Sequence, residues 1–279
     1  MSTTNSVKRT ARQAASTSTP LLETLTRIGF GVRGLIYIIM GLLATQVAAG
    51  KGGALVSPQA AIAAIGRQPA GSILLWVVLI GLVSYALWGV VRALFDPLHK
   101  GNDSKGLLAR FGFLVSAFGY AILAWSTYGY ITGIGQRTSG SQTEKVVASI
   151  MAMPWGRWAI GILGVIVLGA GLYQIYEGLS AHFDRQFRPY ALTPKEAKLV
   201  TDAGRFGTAA RGVVFAVVGG LISLGAYQAN PRQPVGMDTA LATLLGQPYG
   251  IWLLGIVALG LVAFGLYSML GAAWFRFKR

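Results

Sequence analysis

Long uncharged stretches alternate with shorter charged segments along the chain. The uncharged stretches cover residues 34–50, 68–91, 111–136, 158–176, 212–231 and 239–275. Each can hold the roughly 20 apolar residues that a helix needs to cross a bilayer, although the first and fifth reach that length only if Arg33 and Arg211 lie within the helix. The pattern predicts six membrane-spanning helices, near residues 28–49, 71–94, 110–133, 157–180, 205–228 and 249–273.

The composition agrees with a bilayer environment. Only 12% of the 279 residues are charged, whereas a soluble domain carries about 25%. The net charge of +15 follows from topology, because an N-terminus in the cytoplasm places 18 of the 24 Lys and Arg residues on the cytoplasmic side, as the positive-inside rule requires. We therefore expect both termini in the cytoplasm and basic side chains against anionic lipid headgroups. No basic-aromatic module points to nucleic acid.

The six helices fall into three copies of a two-helix unit. The first helix of each copy opens with a related phrase, "RIGFGVRG", "RFGFLVSA" and "RFGTAARG", and the second begins at a Pro-x-Gly triplet. Two spans per copy give all copies the same orientation, so we predict an all-α membrane protein with three parallel repeats around a pseudo-threefold axis. The expected divisions are a disordered cytoplasmic tail over residues 1–23 and repeats over residues 24–98, 107–182 and 202–277.

The outer loops are also alike. Each places apolar residues at helical spacing just before the Pro-x-Gly triplet, which predicts a short amphipathic helix at the outer surface. Ser57 is the expected N-cap in repeat one, and Asp238 or Thr239 in repeat three, because their side-chain oxygens can accept from a free helical N–H group. An ordered loop is the alternative.

The first helix of each repeat carries a stripe of residues at four-residue steps, which stay on one helix face. Its small members favour close helix packing. Charged members need more explanation, since a charge at the bilayer centre costs on the order of 2.5–3.5 kcal/mol. The stripes are Gly29, Arg33, Tyr37 and Gly41; Gly112, Ser116, Tyr120 and Ala124; and Gly207, Arg211, Phe215 and Gly219.

Repeat two departs from the others at two positions. Ser116 replaces the arginine of the first helix, and Glu177 stands in the second helix where repeat one has Arg92. Because charges in membranes usually pair inside the bundle, we predict that Glu177 pairs with Arg33 or Arg211. The pair is either a fixed ion pair that sets helix register or a polar site for an anion, a proton or a lipid headgroup. The candidate polar cluster contains Arg33, Arg211, Glu177, Ser116, Arg92, Tyr37, Tyr120 and Tyr173.

No catalytic or metal-binding motif accompanies these residues. The chain has no cysteine, and its two histidines, His99 and His182, fall in the predicted cytoplasmic links without further ligands nearby. Signatures of nucleotide-binding loops, zinc proteases and serine hydrolases are missing from the sequence. We therefore expect no enzyme activity and no cofactor.

The repeated motif resembles a bacterial membrane family that is catalogued only as a domain of unknown function. The resemblance covers roughly residues 24–277 and depends on an Arg-x-Gly opening followed by Arg-Gly. It implies a six-helix protein of the bacterial inner (plasma) membrane and no particular activity. The matching residues are Arg27-Ile28-Gly29 with Arg33-Gly34, Arg110-Phe111-Gly112, and Arg205-Phe206-Gly207 with Arg211-Gly212; repeat two has Ser116-Ala117 in place of Arg-Gly.

Two functions remain open at this point. The scarcity of polar residues in the spans favours a structural or regulatory membrane component that binds lipids or other membrane proteins. The repeat and the asymmetry at Glu177 favour a small-solute or ion transporter or channel with a polar site on the pseudo-threefold axis. A packed centre with a lateral groove would support the first function, and a water-filled centre that reaches Glu177 would support the second.

Overall fold

The computed structural model describes residues 3–53, 55, 57–96, 101, 103–133, 149–180, 193–230 and 236–274, with the backbone alone over 3–23. All the regular secondary structure of the described residues is α-helical. The helices are α1 (Thr3–Ala48), α2 (Pro58–Gly66), α3 (Gly71–Phe95), α4 (Ser104–Thr132), α5 (Gly156–Leu179), α6 (Pro194–Tyr227), α7 (Met237–Leu245) and α8 (Gly250–Trp274).

Six of these helices, α1, α3, α4, α5, α6 and α8, are long and apolar enough to cross a membrane, as predicted. Three of them begin earlier than expected. α1 begins at Thr3 and α4 at Ser104, ahead of the spans predicted from residues 28 and 110. α6 begins at Pro194 because Thr193 and Glu196 form a capping box.

The helices form a ring in which each repeat packs on the next. The second helix of one repeat lies against the first helix of the following repeat: α3 packs on α4, α5 on α6, and α8 on α1. The contact of α8 with α1 joins the last repeat to the first. Three equivalent interfaces of this kind give the predicted pseudo-threefold arrangement.

Small residues make these interfaces close. On α5, Gly164, Gly171 and Gly178 recur every seven residues and face α6. A Cβ atom added at Gly164 would lie 2.7 Å from the backbone nitrogen of Ser223, and one at Gly178 would lie 2.7 Å from that of Ala209. Both approaches are shorter than ordinary van der Waals contact, so glycine is what lets the two backbones approach.

The arginines that open the motif in repeats two and three connect neighbouring repeats. Arg110 Nε donates to Ala93 O at 2.6 Å and its Nη2 to Leu94 O at 3.0 Å. In the next repeat, Arg205 donates in the same way to Gly178 O at 3.1 Å and Leu179 O at 2.8 Å. The last carbonyls of a helix have no partner within it, so this arginine satisfies the end of the preceding repeat's second helix.

The Pro-x-Gly triplet forms the turn between each short helix and the span that follows it. Gly71 N donates to Gln68 O at 2.8 Å, and Gly250 N donates to Gln247 O at 2.8 Å. A Cβ atom at either glycine would collide with a carbonyl oxygen of the preceding short helix. Glycine at this position therefore allows the chain to reverse within four residues.

The predicted short helices are present in repeats one and three as α2 and α7. Ser57 caps α2 by accepting from Ala60 N at 3.3 Å, as predicted. The N-cap of α7 is Gly236, so the prediction of Asp238 or Thr239 is wrong; the helix begins at Met237, whose buried side chain joins the core. The counterpart in repeat two falls mainly in residues 134–148, outside the described residues.

Both short helices pack into the protein rather than lying only at its surface. α2 contacts α1, α3 and α4, whereas α7 contacts α6 and α8. Their apolar faces belong to the same buried cluster as the inner faces of the spans. This cluster therefore continues from the outer short helices into the centre of the ring, and the buried members from α2 and α7 are Ala61, Ile62, Ile65, Met237, Ala240, Leu241 and Leu244.

Candidate intramembrane arginine cluster

Arg33 lies inside the ring on α1, where only 3% of its surface is exposed. Its Nε and Nη2 atoms donate to Ser268 Oγ at 3.2 and 2.9 Å, and Nη1 donates to Tyr85 Oη. The guanidinium carbon lies 4.8 Å from the ring centroids of both Phe30 and Phe264. Hydroxyl groups and aromatic faces from α3 and α8 thus surround this charge.

Arg211 occupies the equivalent position on α6 and is half-buried. Its Nε atom donates to Tyr37 Oη at 3.0 Å. The guanidinium carbon lies 4.7 Å from the centroid of Phe215 and 5.0 Å from that of Phe264. Since Phe264 also contacts Arg33, one ring lies between the two symmetry-related arginines.

Arg92 comes from the last turn of α3, where a positive charge also interacts favourably with the helix dipole. Only 3% of its surface is exposed. Its guanidinium carbon lies 4.5 Å from the centroid of Phe113 on α4 and 5.5 Å from that of Tyr85 on α3. Its Nε atom is buried and has no hydrogen-bond partner among the described residues.

Tyr85 joins these groups in one cluster. Its hydroxyl group accepts a hydrogen bond from Arg33, and the guanidinium carbon of Arg92 lies 5.5 Å from its ring centroid. The ring also lies 4.4 Å, centroid to centroid, from that of Tyr120 on α4. Tyr37 packs edge-on against Phe264 at 4.9 Å. The arginine cluster, defined as Arg33, Arg92 and Arg211 with these aromatic rings, therefore draws on α1, α3, α4, α6 and α8.

Five of the residues expected at a polar site meet in this cluster, and three do not take part in the contacts above. The five are Arg33, Arg92, Arg211, Tyr37 and Tyr120. Ser116 on α4 is half-buried, while on α5 Glu177 is half-buried and Tyr173 has 57% of its surface exposed. The cluster is therefore positively charged.

The predicted ion pair of Glu177 with Arg33 or Arg211 is absent from the hydrogen bonds of these arginines in the described chain, which go to Ser268, Tyr85 and Tyr37. The packing of α5 explains this. α5 lies against α6 and away from α1. α5 approaches α6 through Gly178, which faces Arg205 and Ala209. The Arg211 guanidinium instead contacts Tyr37 of α1 and Phe264 of α8.

One side of the ring is open. In repeats one and three the two spans pack on each other, α1 on α3 and α6 on α8, but α4 and α5 scarcely touch in the described part of the chain. These two helices are also the least buried of the six spans. No described atom lies within 4 Å of a Cβ added at Gly112 or Gly119 on α4. The spans of repeat two are therefore separated along this side.

The sequence of repeat two differs at the position that meets this glycine. In the closed repeats a glycine of the first helix lies against the backbone and Cβ atom of an aromatic residue of the second, Gly29 against Tyr85 and Gly207 against Phe264. Repeat two keeps the glycine as Gly112 but has Ala170 at the aromatic position. Repeat two therefore lacks a ring equivalent to those of Tyr85 and Phe264, which lie against Arg33 in the cluster.

Sequence reasoning missed several residues of the cluster. Tyr85 and Trp88 lie on the same stripe as Arg92 at helical spacing, and Phe264 is the repeat-three equivalent of Tyr85. The recurrence of an aromatic residue at one repeat position, Tyr85 and Phe264, was the feature of the sequence that could have indicated them. Ser268, which accepts two hydrogen bonds from Arg33, has no counterpart in the repeats that could have indicated it.

Comparison with known proteins places the chain among proteins without an assigned activity. A family model described as Domain of Unknown Function (DUF1206) matches residues 28–96, 111–181 and 206–274, one segment per repeat. An uncharacterized protein, YxxB of Bacillus subtilis strain 168, is 33% identical over 251 residues, which are 90% of each chain. No solved structure gives a significant match.

Proposed function

The chain belongs to the DUF1206 family, and we propose that it is a structural or regulatory component of the membrane that binds lipids or other membrane proteins. One observation carries this proposal. The centre of the ring is packed, while the side between α4 and α5 is open. A protein of this shape presents a binding surface to the bilayer rather than a passage along its axis.

Large apolar side chains pack the centre. Met40 of α1, Val214 of α6 and Leu261 of α8 each have 0% of their surface exposed. They belong to one cluster with the short helices α2 and α7. Solute pathways need a succession of polar groups, and this part of the ring supplies apolar contacts instead.

The two helices beside the gap carry exposed apolar side chains. Phe118 and Trp125 on α4 are 70% and 76% exposed, and Ile162 and Val165 on α5 are 60% and 61% exposed. In a bilayer such residues contact lipid tails or another transmembrane helix. Binding of a lipid or of a membrane protein at this side is therefore the interaction that the shape supports best.

We further propose that the protein resides in the bacterial inner membrane with both termini in the cytoplasm, against anionic headgroups. The exposed aromatic residues near the outer ends of the spans support the membrane location, since such residues favour both membrane interfaces. The positive-inside distribution supports the cytoplasmic position of the termini. The aromatic residues are Trp155, Trp158, Tyr227, Tyr249 and Trp252.

A transporter with a polar site near Glu177 has less support, and so has an enzyme. The axial residues are apolar, and Glu177 lies on the helix that packs only on the edge of the ring. Faster flux of protons or small anions in proteoliposomes than in empty liposomes, lost in a Glu177→Gln variant, would favour the transporter instead.

The proposal can be tested by extracting the full chain gently from bacterial membranes into lipid nanodiscs. Native mass spectrometry would then identify what remains bound. We expect a lipid or a membrane protein in a fixed ratio to the chain. A chain that carries neither, and that conducts solutes in liposomes, would contradict the proposal.

A further inference from the structure

We propose that the arginine cluster binds the phosphate group of an anionic phospholipid that reaches it through the open side of repeat two. This inference rests on the proposed function and names the ligand class. It follows from three features of the described residues: the unbalanced charge of the cluster, the unused donor of Arg92, and the gap between α4 and α5.

The positive charge of the cluster favours binding of an anion. The guanidinium carbons of Arg33 and Arg92 lie 4.9 and 5.5 Å from the ring centroid of Tyr85. Those of Arg33 and Arg211 lie 4.8 and 5.0 Å from that of Phe264, so two aromatic rings connect the three positive charges. Aromatic faces and hydroxyl groups stabilise a cation, but they do not neutralise it. Buried charges are normally paired, and in the described chain the hydrogen bonds of Arg33 and Arg211 go to hydroxyl oxygens.

The donors fit a phosphate. A guanidinium group has five N–H donors in a planar fork that matches two phosphate oxygens. Arg92 Nε is buried without a hydrogen-bond partner among the described residues. Arg211 is the least buried of the three arginines, so it is the residue best placed to contact the ligand, with Arg33 and Arg92 behind it.

The depth of the cluster suits a phospholipid of the cytoplasmic leaflet. Arg33 and Arg211 are each six residues inside the arginine that opens their repeat, roughly 9 Å along the helix. Arg92 lies three residues before the end of α3 at Phe95. A phosphate at this level is slightly below the headgroup region, so its acyl chains remain in the hydrocarbon.

The gap between α4 and α5 can hold the acyl chains. Because only repeat two has such a gap in the described chain, we expect one site per molecule. At Gly112 and Gly119, α4 has no side chain, and no neighbouring helix of the described chain approaches it. In repeats one and three the two spans pack on each other at the corresponding place, where Gly29 meets Tyr85 and Gly207 meets Phe264. A free phosphate would not use this lateral route, and the aromatic surroundings of the cluster favour a ligand that is itself partly apolar.

The test uses the full chain in nanodiscs of phosphatidylcholine that contain increasing amounts of phosphatidylglycerol. Native mass spectrometry counts the phosphatidylglycerol molecules retained per chain. We expect one to be retained with strong preference over phosphatidylcholine. An Arg211→Gln variant should weaken this retention at least tenfold, whereas Arg67→Gln, which removes one exposed outer charge, should leave it unchanged.

A second variant tests the entry route with all three arginines in place. Ala170→Phe restores the aromatic residue of the closed repeats and should reduce retention of phosphatidylglycerol. Equal retention of phosphatidylcholine and phosphatidylglycerol, or retention that survives Arg211→Gln, would overturn the proposal. So would displacement of the lipid by millimolar inorganic phosphate, since that would identify a free-anion site. If instead a membrane protein co-purifies and no anionic lipid is retained, the proposed function stands and this inference fails.

Discussion

At the scale of single residues, the same repeat position is crowded in one repeat and open in another. Gly207 on α6 faces the backbone of Phe264, whereas its equivalent Gly112 on α4 faces no described atom within 4 Å. Sequence alone treats the two glycines as equal, because both follow Arg-Phe. Their different surroundings arise from the second helix of each repeat, because α8 packs on α6 whereas α5 scarcely touches α4 in the described chain.

This difference makes the two glycines a matched pair for mutation. We expect Gly207→Leu to destabilise the protein by about 1–3 kcal/mol, the usual cost of overpacking, because its side chain would collide with the backbone of α8. Gly112→Leu should have little effect. Thermal unfolding of both variants in detergent is the measurement; equal losses of stability would mean that α4 and α5 are in contact.

Arg110 provides a second residue-scale prediction. Its guanidinium group supplies the donors for Ala93 O and Leu94 O at the end of α3, and hydrogen bonds that involve a charged group contribute about 1.5–3 kcal/mol. Arg110→Ala should therefore speed hydrogen exchange in the last turn of α3. Arg67→Ala is the control, and unchanged exchange in Arg110→Ala would show that the bonds do not hold this helix end.

At the scale of elements, the number, type and approximate position of the spans followed from the sequence, since six uncharged stretches of sufficient length leave little choice. The ends of the helices did not follow as well. α6 extends back to Pro194 through a capping box whose residues, Thr193 and Glu196, are readable in the sequence. The ion pair at Glu177 failed for another reason, because hydrophobic periodicity gives the buried face of α5 but not which helix covers it.

The separation of α4 from α5 can be measured directly, since the chain has no cysteine that would compete with introduced spin labels. Labels at Phe118→Cys and Leu172→Cys report on repeat two, and Leu35→Cys with Leu87→Cys report on the equivalent, closed positions of repeat one; all four side chains are exposed. We expect a longer distance in repeat two, which Ala170→Phe shortens. Equal distances in the two repeats would contradict an open side.

At the scale of the whole molecule, three similar units produce one asymmetric object. The repeats predicted the cyclic order of helices, because parallel copies that pack head to tail can close on themselves. They did not predict that one of the three intra-repeat contacts is missing. The sequence differs there in having Ala170 in place of an aromatic residue, and the missing contact emerges only when both spans are placed in three dimensions.

The contact of α8 with α1 also bears on where the polypeptide can begin. Gly34 approaches the backbone of α8, and Gly265 approaches that of α1, in the way that neighbouring repeats meet elsewhere in the ring. A chain that begins at the first helix of another repeat could therefore form the same contacts between repeats. A circular permutant that begins at repeat two and joins the old ends by a flexible linker should fold to the same ring, as judged by its unfolding temperature.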